Sequence, residues 1–190
     1  YTLRKGLIKV TKSLPDGRTQ IVRVLVAGDL FGFDGFANEN YNHTATALTD
    51  CEVCRLPLAD LAVLRQSNNE IDRSMIARLI KNLRQSEDML LELGAKKASQ
   101  KLASYIMNLS QYDQDTSLHD LPNDNVVSEW ANLHLSRGEI GSLLGLTIET
   151  VSRFFSDWKR KGFIKESKGN IQIIDAEGLK AAACSEGACQ

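Results

Sequence analysis

The stretch Leu135–Lys161, LSRGEIGSLLGLTIETVSRFFSDWKRK, decides how the rest of the chain is read. Ser136 with Glu139 three residues on is a capping box, so a helix starts there. Ile140, Leu143 and Leu144 fall on one face of it. Gly145 supplies the residue tolerant of positive φ that ends the helix, and Leu146 is expected to pack into the corner. Thr147 caps a second helix whose buried face is Val151, Phe154 and Phe155. Gly141 is small enough for the two helices to cross closely. Ile148, Glu149, Ser152, Arg153 and Ser156 are left outward on the second helix. This spacing predicts a helix-turn-helix, and an outward Arg and Glu near the start of its second helix suit base edges in the major groove. The competing reading of the same pattern is an ordinary helical hairpin.

Charge supports the first reading. The whole chain, 190 residues with 23 basic and 24 acidic, carries a net charge of −1. Between Ser136 and Asn170 there are seven basic and four acidic residues, a local net of +3. A local patch matters more for nucleic-acid binding than the total. No apolar run is long enough to span a membrane, and no signal peptide is visible, although the chain opens on Tyr1 rather than Met. The four cysteines, Cys51, Cys54, Cys184 and Cys189, do not form a secreted disulfide framework, which favours a cytoplasmic protein.

Downstream of the helical pair, Phe163-Ile164 and Ile171–Ile174 flank Lys168-Gly169-Asn170, a hairpin that would form a wing beside the second helix. Asp175–Ala183 is predicted as a last short helix. Upstream, Trp130–Leu135 is predicted as a short strand, and Tyr112–Asn125 as a mobile loop. Lys96–Leu109 reads as a helix with Ala98, Leu102, Ala103, Ile106 and Leu109 inward. The segment from Asn68 or Asn69 to Gly94 reads as one long helix, with Ile76, Leu79, Leu83, Leu90 and Leu93 at coiled-coil intervals interrupted by Ser86. Met75, Ile80 and Met89 lie close to that seam. It is expected to serve both a homodimer partner and the chain's own β domain. Residues 1–60 alternate short β-branched runs with turns, including Leu14-Pro15-Asp16-Gly17-Arg18, and Leu58 to about Arg65 reads as a short helix. Such spacing suggests a β-barrel or jelly roll. Because the first strand begins at the first residue, the barrel is expected to be partial, with an N-terminal part missing.

The resulting expectation is an α+β chain in three parts. These are a partial jelly-roll sensor barrel at 1–67, a dimerisation helix at 68–94 and a winged helix-turn-helix DNA-binding domain at 95–190. That order resembles the CRP/FNR family of bacterial transcription regulators, and within it the oxygen-responsive FNR type. The most specific matching segments are Val26-Ala-Gly-Asp-Leu30, Gly32-Phe-Asp34, Glu87-Asp-Met89, Tyr105-Ile-Met-Asn-Leu-Ser110 and Gly145-Leu-Thr-Ile-Glu-Thr-Val-Ser-Arg153. The resemblance implies that Glu149, Ser152 and Arg153 read TTGAT-like half-sites in an inverted repeat of double-stranded DNA. Independently of the family, Arg153 can grip guanine O6 and N7, Glu149 can accept from a cytosine amino group, and Ser152 can meet a thymine methyl or donate to a base. A helix N-terminal acid favoured by the dipole is the other reading of Glu149. Thr147, Thr150, Lys159, Lys161 and Lys168 suit phosphates.

The signal is less directly written. In the cyclic-nucleotide branch an acidic residue and an Arg-Ser pair hold the ligand; here those positions are Phe33, Tyr41 and Asn42, and no arginine lies between Arg23 and Arg55. A cyclic phosphate without a cation is poorly held. The FNR resemblance instead implies a [4Fe–4S] cluster in the full-length protein, with Cys54, in the frame Val53-Cys54-Arg55-Leu56-Pro57, as one thiolate. The other three ligands belong to an upstream segment. A structural cysteine is the alternative for Cys54. Haem, nitric oxide, thiol chemistry or another small molecule are the alternative signals. Cys51 lies three residues away on an extended strand, so its sulfur points to the opposite face, and it is expected to be a small buried residue. His43, His119 and His134 show no metal-ligand spacing, and nothing resembles a catalytic triad. In the FNR type an aspartate stands at the position of Ser86, which implies a dimer less dependent on the cluster. The turn at Asp16 and Gly17 corresponds to a surface loop that family members use on RNA polymerase. A plain solvent turn is the other reading.

Overall fold

Alternation of β-branched residues with turn formers sets the first half of the chain. In the computed structural model, which describes residues 1–37, 40–109 and 130–184, that half carries five short strands. The expected loop Tyr112–Asn125, His119 and the cysteine at 189 lie outside the described residues. Contacts divide the chain into two units, Tyr1–Leu91 and Glu92–Gln190.

In the first unit, β2 (Ile8–Ser13) lies between β3 (Thr19–Leu25) and β4 (Thr44–Ala47) in an antiparallel sheet. β1 (Thr2–Lys5) pairs with β5 (Glu52–Cys54) in a second sheet of two strands. Leu3, Ile8, Val10 and Leu25 form the core between them, with Phe31 and Cys51 packed against it. The expected barrel is therefore seen as two small sheets; they do not join into a closed barrel among the described residues. β4 and β5 are exposed along their whole length. The β2–β3 turn is tied by Asp16, whose carboxylate accepts from the Arg18 backbone N–H at 3.0 Å, and Gly17 there has φ +87°.

α1 (Leu58–Ser67) follows, and the Asn68 side chain accepts from the Glu70 N–H at 2.9 Å to start α2 (Glu70–Ala95). α2 buries no residue. In the turn after β3, the Gly28 carbonyl accepts from Arg78 and the buried Asp29 carboxylate meets Lys81 at 3.4 Å. The seam residues Ile76, Leu79, Leu83 and Leu90 are 56, 43, 59 and 71% exposed, so the stripe is not used on the chain's own β-sheets as the sequence suggested. Ser86 turns inward on its own helix and donates to the Asn82 carbonyl at 2.9 Å.

The second unit is built from α3 (Ala98–Met107), β6 (Ala131–Asn132), α4 (Arg137–Leu144), α5 (Ile148–Arg160), β7 (Ile164–Ser167), β8 (Asn170–Ile173) and α6 (Ala176–Cys184). β6, β8 and β7 form one antiparallel sheet in that order. The strand expected over Trp130–Leu135 shortens to two residues, because the Asn132 side chain accepts from His134 N–H and bends the chain there. Leu102, Ile106, Leu109, Ile140, Leu143, Phe155, Trp158, Ile164, Ile171 and Leu179 are the largest fully buried side chains of this unit. Tyr105, which the sequence reading left out of the core, is buried and donates to the Leu133 carbonyl at 3.1 Å.

Candidate nucleic-acid interface

The helical pair forms from local signals. Ser136 Oγ accepts from Glu139 N–H at 3.3 Å, and the Glu139 carboxylate accepts from Ser136 N–H at 2.8 Å. Gly145 closes α4 in the left-handed conformation, φ +64°. A methyl added at Gly141 would lie 2.6 Å from the Leu146 carbonyl oxygen, so only glycine lets the turn return this closely. Leu146 itself is half-buried. Thr147 Oγ1 accepts from Thr150 N–H at 3.2 Å and starts α5.

α5 then separates its faces. Val151, Phe154, Phe155 and Trp158 are buried, while Ile148, Glu149, Ser152, Arg153 and Ser156 are exposed. The structure thus brings Glu149, Ser152 and Arg153 onto one solvent face, one helical turn apart. The Arg153 guanidinium lies 5.5 Å from the Phe154 ring centroid, within cation–π range. Hydrogen bonds from its own backbone N–H and from the Thr147 hydroxyl hold the Glu149 carboxyl below its ordinary value. It is therefore an anionic acceptor at neutral pH.

The cations around α5 are not all unengaged. Asp157 pairs with Arg160 and with Lys161, the latter at 2.7 Å. Glu166 on β7 pairs with Lys159 at 2.9 Å and with Arg137 on α4. The Arg137 guanidinium also sits 3.2 Å from the Phe155 ring centroid. Burial pushes it below its ordinary value, and the Glu166 carboxylate opposes that shift. Its Nη1 is buried without a hydrogen-bond partner. The sequence reading missed Arg137, Asp157 and Glu166. Asp157 was legible from its three- and four-residue spacing to Arg160 and Lys161; the contact of Arg137 with Glu166 spans 29 residues and had no local signal. Lys168 sits at the wing tip between β7 and β8 with φ +48°, followed by Gly169 at φ +83°. Two such residues make the left-handed hairpin turn that matches strand twist. A non-glycine residue held there is uncommon.

In the first unit, Cys54 is exposed at the end of β5 and Cys51 is half-buried, donating to the Leu7 carbonyl at 3.3 Å. Among the described residues no three or more His, Cys, Asp or Glu side chains gather as a metal site. Those residues offer a cluster one exposed cysteine sulfur and do not hold it by themselves. A cavity of about 800 Å³ in this unit is lined by Phe31, Tyr41, Leu58 and Met75 together with Arg55 and Arg78. These two arginines bring to the cavity the positive charge that the interval between Arg23 and Arg55 lacks. Asp16 and Gly17 are exposed at the β2–β3 turn. No helix among the described residues is long and apolar enough to cross a membrane.

Comparison with known proteins agrees with both units. A cyclic nucleotide-binding domain model matches residues 1–68, and a Crp-like helix-turn-helix domain model matches residues 100–182. The transcriptional regulatory protein btr of Bordetella pertussis is 32% identical over 180 residues, 95% of this chain and 71% of that protein. The fumarate and nitrate reduction regulatory protein of Salmonella typhimurium is 31% identical over 183 residues, 96% of this chain and 70% of that protein. The structure of FixK2 from Bradyrhizobium japonicum superposes with a TM-score of 0.75 at 26% identity, covering 95% of this chain and 84% of that one. The chain accordingly belongs to the CRP/FNR family, whose members are DNA-binding transcription regulators and not enzymes.

Proposed function

We propose that this chain is a cytoplasmic regulator that binds an inverted repeat of TTGAT-like half-sites as a homodimer. The observation that supports this most is the division of α5 into a buried aromatic face and an exposed Glu149-Ser152-Arg153 face. Those three residues read base edges, while Thr147, Thr150, Lys159, Lys161 and Lys168 hold phosphates. The stripe Ile76, Leu79, Leu83 and Leu90, with Ser86 between, is exposed on the single chain and is the dimer seam; a dimer carries two reading helices for a symmetric site. Asp16 and Gly17 form the RNA polymerase contact. The test is a binding titration with the inverted repeat and a scrambled duplex at fixed salt. Equal affinity for the two defeats the proposal.

In the full-length form the sensed signal is oxygen, through a [4Fe–4S] cluster that takes Cys54 as one thiolate. An exposed cysteine suits that role better than the structural alternative. Iron and sulfide assay of anaerobically purified full-length protein, against Cys54→Ser, tests it; full iron content in the variant removes Cys54 from the ligand set. A second reading keeps the DNA-binding role and gives the signal to haem, nitric oxide, thiol chemistry or another small molecule. The mostly apolar cavity with Arg55 and Arg78 favours it for an anionic effector.

A further inference from the structure

Four cations that border the reading helix are held by two carboxylates. Asp157 holds Arg160 and Lys161 from within α5, and Glu166 holds Lys159 and Arg137 from β7. The two carboxylates are covered to a similar degree, Asp157 27% and Glu166 22% exposed, and of their partners only Arg137, at 22%, is covered; Arg160, Lys161 and Lys159 are 79, 47 and 43% exposed. Exposed ion pairs of this kind contribute little to stability. Their cost falls elsewhere: a lysine that meets a phosphate must first leave its carboxylate, which is then left near the polyanion. We propose that Asp157 and Glu166 are built-in competitors of the DNA phosphates, and that they limit the affinity of this surface for DNA of any sequence.

This rests on the reading of α5 as the helix that faces DNA. Binding to phosphate releases counterions, and log affinity falls with log salt by about 0.9 per neutralised phosphate. A carboxylate abandoned at the interface recaptures a cation and offsets one such release. A regulator that must find few sites among a genome of competitors gains from a low sequence-independent affinity. Removing one carboxylate charge therefore strengthens binding to matched and unmatched duplexes alike, while the ratio between them, set by Glu149, Ser152 and Arg153, stays.

The experiment titrates full-length wild type, Asp157→Asn, Glu166→Gln and Glu177→Gln against the inverted repeat and a scrambled duplex over a range of salt. Glu177 pairs only with its neighbour Lys180 on α6 among the described ion pairs, and reports the effect of net charge alone. For Asp157→Asn we expect about three- to tenfold tighter binding to both duplexes near 0.1 M salt, with a slope steeper by about one. Glu166→Gln moves the same way, and Glu177→Gln moves little. Among the described ion pairs Asp157 ties only residues three and four further along its own helix, so that variant keeps the test valid if Glu166→Gln loosens the wing. An unchanged slope or weaker binding in Asp157→Asn overturns the proposal, as does an equal shift in Glu177→Gln. Loss of discrimination by wild type defeats the reading of α5 instead, and the slopes still decide the competition for phosphate.

Discussion

Arg153 is exposed on the reading face of α5, with its guanidinium beside the Phe154 ring. Truncation to alanine removes that ring contact but no buried side chain, so the main effect falls on recognition. Arg153→Ala is expected to lose about 1–3 kcal/mol of discrimination at one guanine and to bind scrambled DNA nearly as before. Competition titrations with single-base variants of the half-site check this; a uniform loss across all duplexes would make Arg153 a phosphate contact. Lys161 is a different case, because Asp157 already holds it at 2.7 Å. Lys161→Ala should weaken every duplex and flatten the salt slope, by less than the full unit of an unengaged lysine. A salt titration with no change removes Lys161 from the contact set.

At the scale of elements, two glycines of α4 make opposite predictions. Alanine in place of helical glycine gains up to about 1 kcal/mol from backbone entropy. At Gly138 the nearest atom to a new methyl is Ile148 Cδ1 at 3.9 Å, so Gly138→Ala keeps that gain. At Gly141 the new methyl meets the Leu146 carbonyl oxygen at 2.6 Å. That obstacle is backbone, and overpacking of this kind costs about 1–3 kcal/mol, which outweighs the propensity. Thermal melts should show Gly138→Ala slightly raised and Gly141→Ala lowered; the reverse order would mean that the turn is slack. The capping box at Ser136 has its own signature, since Ser136→Ala should cost about 1 kcal/mol. These elements were legible because capping box, left-handed glycine and apolar spacing all lie within a few residues of one another.

For the molecule as a whole, the exposed stripe on α2 is the feature that its own fold leaves unexplained. Leu83→Glu places a charge in the middle of the proposed seam, at a side chain 59% exposed in the single chain. Sedimentation is expected to give a monomer for this variant at concentrations where wild type is a dimer, with its melting within a degree or two of a wild-type monomer. A variant that stays dimeric moves the seam to another face. Affinity for the inverted repeat should fall with the dimer, while affinity of a single half-site changes little, because the two reading helices are then no longer linked.

The sequence by itself determined the helix-turn-helix, its caps, the wing, the long helix and the outward trio on α5, because each follows from contacts between near neighbours along the chain. Composition and periodicity also set the α+β class. Tertiary structure decided what depends on distant residues meeting. It tied the wing to α4 through Glu166 and Arg137, set Lys81 on the buried Asp29 across 52 residues, and divided the β half into two small sheets. It also showed that the α2 stripe stays exposed, and that Lys159 and Lys161 are already engaged by carboxylates. A one-dimensional pattern records which side chains are apolar or charged. Which of them find each other depends on chain path and packing, and only the folded chain fixes that.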